Sequence, residues 1–476
     1  MADEAREKCA VAAIVSADGE SVASELLFES LYALQHRGVE ASGMATLQAD
    51  GHLKSHCELG LVKNVYDEEV IRKLGGIMGI GHNRYSTSGS KADHPQPFTD
   101  KPIGFALAHN GNLPDTDDLA DFLDGSSIHS GHMNDSEMAG SAIAQNIRNG
   151  LALPDAVERA YPLLNGAFSC VAMHDGMVAA FRDPKGIRPL AFGSFDGGYA
   201  VASETAGLDI IDSIFSREVR PGEMVMITAD GVEARQLADE DSKLDMFEFV
   251  YFARPDSMLY GQRVNEVRRR LGQQLAEQHG SLYEDTQNVL VVPVPDTSVP
   301  SSKGYARSLG LEQDEGIVKN RYIGRTFIQP TNARRHQHLR RKHNIIPEVV
   351  KGRDVILVDD SIVRLNTLPR LIRLAKESGA RSVSALIASA PVRFPDYYGM
   401  DTPKQGELAA ATMTVEQMRQ KMDCHYLGFL SLDRMVKATG MPAEQFNLSC
   451  FTGEYPINIG RHAEEISTPI SMEYVE

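Results

Sequence analysis

Apolar residues fall into two kinds of stretch along this chain. Unbroken runs follow Cys9 (Ala10–Val15) and occupy Val289–Val292 and Val355–Val358. Their length suits strands covered on both faces. Elsewhere apolar positions recur at helical spacing. Leu27, Leu31 and Leu34 predict a helix over Ser24–Gln35, ended by Gly38. Val264, Val267, Leu271 and Leu275 mark a second helix. Leu368, Leu371, Ile372 and Ala375 mark a third, with Pro369 suited to its first turn and Gly379 to its stop. In the second half strands and helices alternate, which predicts a doubly wound parallel sheet. Leu237–Lys243 is acidic and poor in apolar side chains, as a connection between domains would be.

Around Val355–Thr367 the pattern reads strand, acidic pair (Asp359, Asp360), polar loop, helix. Ligands of open α/β sheets bind at the carboxyl ends of the strands, so the pair points into a site able to hold a sugar phosphate. An ordinary turn with two solvated aspartates is the alternative. In the first half, three polar, glycine-bearing segments each follow or interrupt an apolar element: Leu34–Gly43, Gly81–Gly89 and Ala108–Leu113. Their polar side chains are expected to gather at one edge of a sheet. Arg334–His343 packs five Arg or Lys and three His into ten positions. Such a run is a solvated face or a clamp for a highly anionic ligand; it lacks the interleaved aromatics of a nucleic-acid patch.

Composition narrows the class. A length of 476 residues implies two domains with a small third at most, and 42% apolar with 24% charged residues describes an ordinary soluble globular protein. No apolar run approaches a membrane span, and Met1–Lys8 lacks a signal-peptide core. Five cysteines, odd in number and far apart, imply reduced thiols and a cytoplasmic protein. A net charge of −17 argues against general affinity for nucleic acid. Cys9 alone reads either as a small buried hydrophobe or as a nucleophile. If residues 1–8 are removed, its own α-amine, with a reference pKa of about 7.7–8.0, can take the thiol proton.

These segments, with Asn134–Glu137, resemble the glutaminase domain of the N-terminal-nucleophile amidotransferases, and among them the glutamine phosphoribosylpyrophosphate amidotransferases. The resemblance covers Cys9 to Ile457. It implies an α+β N-terminal-nucleophile hydrolase sandwich (αββα) followed by an α/β type I phosphoribosyltransferase domain. The implied boundaries are a propeptide at 1–8, a glutaminase domain at 9–236, a join at 237–262, a phosphoribosyltransferase domain at 263–440, and a C-terminal segment and tail at 441–476. By resemblance Cys9 is the nucleophile, and Asn110 with the Gly111 backbone N–H forms the oxyanion hole. Arg84 clamps the glutamine α-carboxylate, Asp135 accepts its amino group, and Arg37 orders the site. Phe181–Leu190 and Ala202–Ala206 match family segments and read as structural turns.

In the second half the resemblance assigns Asp359 and Asp360 to the ribose hydroxyls and to Mg²⁺, with Ser298 as a further metal-associated hydroxyl. Ser361–Thr367, including Asn366, would cradle the 5′-phosphate. Tyr322–Pro330 and the basic run form a loop closing over phosphoribosyl pyrophosphate, with Lys342, Arg340 and Arg341 near the pyrophosphate. The family departs from this chain at Ala10 and Leu365, where it has glycine. Positions that hold an iron–sulfur cluster in some members are Asp245, Asp396, Asn447 and Cys450 here, so no cluster is expected. The implied activity is glutamine-dependent synthesis of 5-phosphoribosylamine, opening purine nucleotide synthesis, with purine nucleotides as inhibitors and a homo-oligomer (tetramer or dimer). A paralogue with an impaired phosphoribosyl pyrophosphate site, acting as glutaminase or nucleotide-binding regulator, is the alternative.

Overall fold

The computed structural model describes residues 6–7, 9–84, 94, 96–319, 343–402, 404–467 and 469. Arg340, Arg341 and Lys342, with the rest of the expected closing loop up to His343, lie outside the described residues.

The first half folds as two stacked antiparallel sheets, one of seven strands and one of six, with a helix layer outside each. The run that begins at Cys9 forms strand Cys9–Ser16, wholly buried, between Gly198–Ala202 and Met78–Arg84. Valine and alanine side chains from both sheets interlock between them, including Val11, Ala13, Ala108, Val171 and Ala180. The outer face of the seven-stranded sheet is covered by helix Ala23–Ala33, whose Leu27 and Leu31 are fully buried along with Leu34 just beyond. That helix caps at Leu34, short of the expected stop. Gly38 instead allows close approach: a Cβ there would lie 2.5 Å from the Asn83 carbonyl carbon. On the opposite side, helices Asp135–Arg148 and Leu153–Ala160 cover the six-stranded sheet.

The second half contains a five-stranded sheet, ordered Glu312–Gln313, Val289–Pro293, Asp354–Asp359, Ser382–Ile387, Leu427–Phe429, with every pairing parallel. Helix Val264–His279 packs on one face, and helix Thr367–Glu377 on the other through the expected Leu368, Leu371, Ile372 and Ala375. The acidic connection is pinned, with Lys185 paired to Asp241 and Lys243 donating 2.6 Å to the Glu444 carbonyl. Beyond Lys243 the chain is no linker. Leu244–Asp245 pairs with Phe446–Asn447, and Met246, Phe247 and Phe249 are buried in the second lobe's core. The expected tail is also held at its start, where Gln405 accepts from Ser467 N at 2.9 Å and donates to its carbonyl at 2.8 Å.

The segments Phe181–Leu190 and Ala202–Ala206, expected only to turn the chain, carry a buried charge network. Arg37 is completely enclosed, its guanidinium paired with Glu204 on one edge and with Glu248 on the other, the latter at 2.5 Å. Arg188 lies 3.2 Å from Asp245 and 3.3 Å from Glu248. Burial opposes the charge on Glu204, but Arg37 and His36 outweigh it and hold that carboxyl well below the usual range. Arg37→Met should therefore take one cationic partner from each of two buried carboxylates and lower unfolding free energy by about 3–5 kcal/mol. Urea unfolding checks this, and a loss under about 1 kcal/mol would show that the network is not a structural joint.

Candidate active site

Antiparallel pairing sets the first site. Cys9 lies directly across from Arg84, so both side chains project from the same face at one end of the sheet. Cys9 is buried, whereas Arg84 is half-buried and donates 2.7 Å to the His94 carbonyl. His94 in turn is bonded to Glu137 at 2.7 Å. Residues 85–89, the remainder of that expected polar segment, lie outside the described residues.

Asn110 and Gly111 stand inside strand Phe105–Asp115. Asn110 is buried, its amide reaching the Ser203 hydroxyl at 3.5 Å. That hydroxyl also accepts from Val11 N at 2.9 Å, two residues beyond the thiol. Ser203 thus ties the strand of Cys9 to Asn110, a link with no spacing signal because 192 residues separate Ser203 from Val11. Among the described residues, the Asn110 side-chain oxygen Oδ1 is buried without a hydrogen-bond partner. At Gly111 a Cβ would fall 1.9 Å from the Ala167 carbonyl oxygen, so no other residue fits this backbone.

Asp135 opens helix Asp135–Arg148, which Asn134 and Glu137 close with a reciprocal capping box. Its carboxylate accepts from Leu113 N at 3.1 Å and Ser136 N at 2.9 Å, beside the strand that carries Asn110. His109 bonds Ser136 Oγ at 3.0 Å and lies 3.9 Å from Asp135. Burial lowers its pKa against the opposing pull of Asp135, and burial with the Arg84 and His109 charges takes His82 down to about 3. Both rings stay neutral at pH 7, and Arg84 is the cationic residue paired across from Cys9.

In the second lobe, strand Asp354–Asp359 ends at the acidic pair, which is nearly buried. Asp359 accepts from Asp360 N at 3.0 Å, and Asp360 accepts from Ser361 Oγ at 2.8 Å. The Thr297 hydroxyl also donates to Asp360. Ser298, the expected one, is fully buried at the start of helix Val299–Leu309 and donates to the Val294 carbonyl. Burial pulls Arg268 down to about 10 against the charge of Asp360. Asn366 and Thr367 start helix Thr367–Glu377, with Asn366 exposed. Leu365 does not take a left-handed backbone, and its side chain packs on the cluster of Leu368 and Leu371. Glycine's freedom is therefore not needed there.

A family model for a glutamine amidotransferase domain matches residues 82–209. The amidophosphoribosyltransferase of Synechococcus elongatus is 39% identical over 465 residues, 96% of this chain and 93% of that protein. That of Mycobacterium leprae is 40% identical, covering 96% of this chain and 83% of its own length. The solved structure of glutamine phosphoribosylpyrophosphate amidotransferase from B. subtilis, complexed with ADP and GMP, superposes with a TM-score of 0.86 at 34% identity, covering 95% of this chain and 98% of that one. The chain belongs to the amidophosphoribosyltransferase family.

As an amidophosphoribosyltransferase it combines an N-terminal-nucleophile glutamine amidotransferase lobe with a phosphoribosyltransferase lobe, as its sheets show. The departure at Ala10 is a fully buried strand position. At the four positions that hold cysteines in some members, the side chains serve packing and turns. Asp245 pairs with Arg188, while Asp396 Oδ1 accepts from Tyr398 N and Met400 N at 2.8 Å each. Asn447 accepts from Ser449 N at 3.1 Å. Burial, then Asp245 and Asp396, push the Cys450 thiol well up. Among the described residues no group of three His, Cys, Asp or Glu is arranged to hold a metal, and no helix is long and apolar enough to cross a membrane.

Proposed function

We propose that the two lobes divide the synthesis of 5-phosphoribosylamine, pyrophosphate and glutamate from glutamine, water and phosphoribosyl pyrophosphate, the first step of purine synthesis. In the first lobe the Cys9 thiol attacks the glutamine side-chain amide once Met1–Lys8 has been removed and the Cys9 amine is free to take the proton. Asn110 and the Gly111 N–H receive the developing oxyanion, each donor being typically worth about 10²–10³ in rate. Arg84 holds the substrate carboxylate bidentately and Asp135 its ammonium group. Arg37 works one layer behind, by holding Glu204 and Glu248 in place. Water then cleaves the thioester, releasing glutamate, and the ammonia passes to the second lobe.

There Asp359 and Asp360 receive the ribose hydroxyls, and Ser361, Asn366 and Thr367 surround the 5′-phosphate at a helix start. The pair's carboxylate oxygens, with Thr297 beside them, are the hard donors Mg²⁺ prefers, and the ion would neutralise charge on the departing pyrophosphate. Arg340, Arg341 and Lys342 are assigned to that pyrophosphate. Ammonia displaces it from C1 with inversion. Purine nucleotides as inhibitors and assembly into a dimer or tetramer belong to the same reading, with ADP and GMP in the B. subtilis relative as its support.

The observation that carries this reading is the cross-strand placement of Cys9 and Arg84 beside the Asn110 strand. Arg84→Ala should raise the KM for glutamine by at least about 30-fold, the loss of one charged partner costing about 2–5 kcal/mol. Ammonium-driven synthesis should be unchanged. Steady-state kinetics on both nitrogen sources checks it, and an unaltered glutamine KM refutes the assignment.

A further inference from the structure

The strand that carries Asn110 and Gly111 is held from outside its own lobe. A turn of the second lobe, Asp396–Gly399, lies against it. Asn112, two residues past Asn110, donates its side-chain N–H to the Tyr397 carbonyl at 2.8 Å. Arg188 donates to the next carbonyl, Tyr398, at 3.0 Å. The Tyr398 ring is completely buried with Ala167 and Ile187 of the first lobe and Ile459. Ala167 is the Cα partner of Asn112 on the neighbouring strand, and its carbonyl is the group that excludes a side chain at Gly111. The turn's shape is fixed by Asp396, whose Oδ1 gathers two backbone N–H groups. Gly399 then comes so near that a Cβ on it would sit 3.3 Å from Gly111 Cα and 3.0 Å from the Arg188 guanidinium, at a φ of +117°.

We propose that this turn positions the oxyanion strand, with Asn112 and Gly399 as positioning residues for the glutamine half-reaction. The inference rests on the assignment of Asn110 and Gly111 as the oxyanion hole. A donor N–H stabilises the tetrahedral intermediate only if it is fixed where charge will develop, and the strand alone does not fix it. Within its sheet, Asn110–Asn112 pairs with Ser169–Ala167, but the ladder is irregular immediately afterwards, between Asn112 and Asp115. The Asn112–Tyr397 bond and the Gly111–Gly399 contact brace the strand at the point where its own pairing weakens. A consequence is that the hole is complete only when both lobes are docked.

Two variants disturb the brace in opposite senses. Asn112→Ala removes the bond to Tyr397, and Gly399→Ala pushes the turn against Gly111 and Arg188. Both should lower kcat for glutamine hydrolysis by about 10- to 100-fold, the scale of a misplacement near 1 Å. The KM for glutamine should stay within about twofold, since Arg84 and Asp135 still bind it. Ammonium-driven synthesis should stay within the same limit, which shows that both lobes are folded. Unchanged glutamine kcat in both variants overturns the proposal. So does a rise in KM alone, or an equal fall in ammonium-driven synthesis, which would make the turn general scaffolding. Asn110→Ala run in parallel separates the two levels: if it too leaves glutamine kcat intact, the oxyanion-hole assignment itself is wrong.

Discussion

Cys9→Ala is expected to abolish phosphoribosylamine synthesis from glutamine while synthesis from ammonium salts stays within about twofold of the unaltered protein. The substitution removes the thiol across from Arg84 and changes nothing in the second lobe, whose sheet and acidic pair are built from residues after 288. Alanine suits the site sterically, since Ala10, Ala12 and Ala13 share the buried strand. The expected effect is therefore chemical. Loss of a covalent nucleophile leaves only binding and the oxyanion hole, and in comparable systems costs about 10⁴–10⁶ in kcat. Paired assays on glutamine and on ammonium chloride read both numbers. Equal loss on both sources would mean that Cys9 serves the fold and not the reaction.

The converse experiment concerns the acidic pair. Asp359→Asn with Asp360→Asn should eliminate synthesis from glutamine and from ammonium alike, by about 10³-fold or more, because charge stabilisation at C1 is the main thing this lobe supplies. Glutamine hydrolysis in the absence of phosphoribosyl pyrophosphate should persist. The amide replacements keep the shape of the strand end and can still accept from Asp360 N and Ser361 Oγ, so unfolding is not expected. Retention of ammonium-driven synthesis above a tenth of the original rate would remove the pair from the sugar-phosphate site.

Much of this was legible because periodicity and burial agree. Leu368, Leu371, Ile372 and Ala375 are buried along one helix face, and the runs at Val289 and Val355 became central parallel strands. Helix ends were less legible: Gly38 looked like a stop, yet its lack of a side chain serves the contact with Asn83. Arg188 and Glu204 were read only as parts of turns for a related reason. Arg37, Arg188, Glu204 and Glu248 lie far apart in the chain, so no spacing announces that they meet, and polar residues near glycine and proline look like turns. Ser298 and Thr297 show the same limit at single-residue scale. Adjacent hydroxyls are equivalent in sequence, but Ser298 donates to the Val294 carbonyl while Thr297 donates to Asp360. Leu365 stood out only because glycine is usual there. Its backbone needs no left-handed conformation, so the β-carbon costs nothing locally.

The fate of residues 1–8 tests the central claim most directly. Arg6–Glu7 pairs with Met400–Asp401, immediately after the turn Asp396–Gly399, and while the chain continues into Cys9 that residue's nitrogen is an amide. A thiol that relies on its own amine cannot work in that state. Mass spectrometry of the N-terminal peptide from protein with full glutamine-dependent activity should find Cys9 as the first residue, modified stoichiometrically by a glutamine-analogue electrophile. Full activity in protein that still carries Met1–Lys8, or modification of a different residue, would contradict the account.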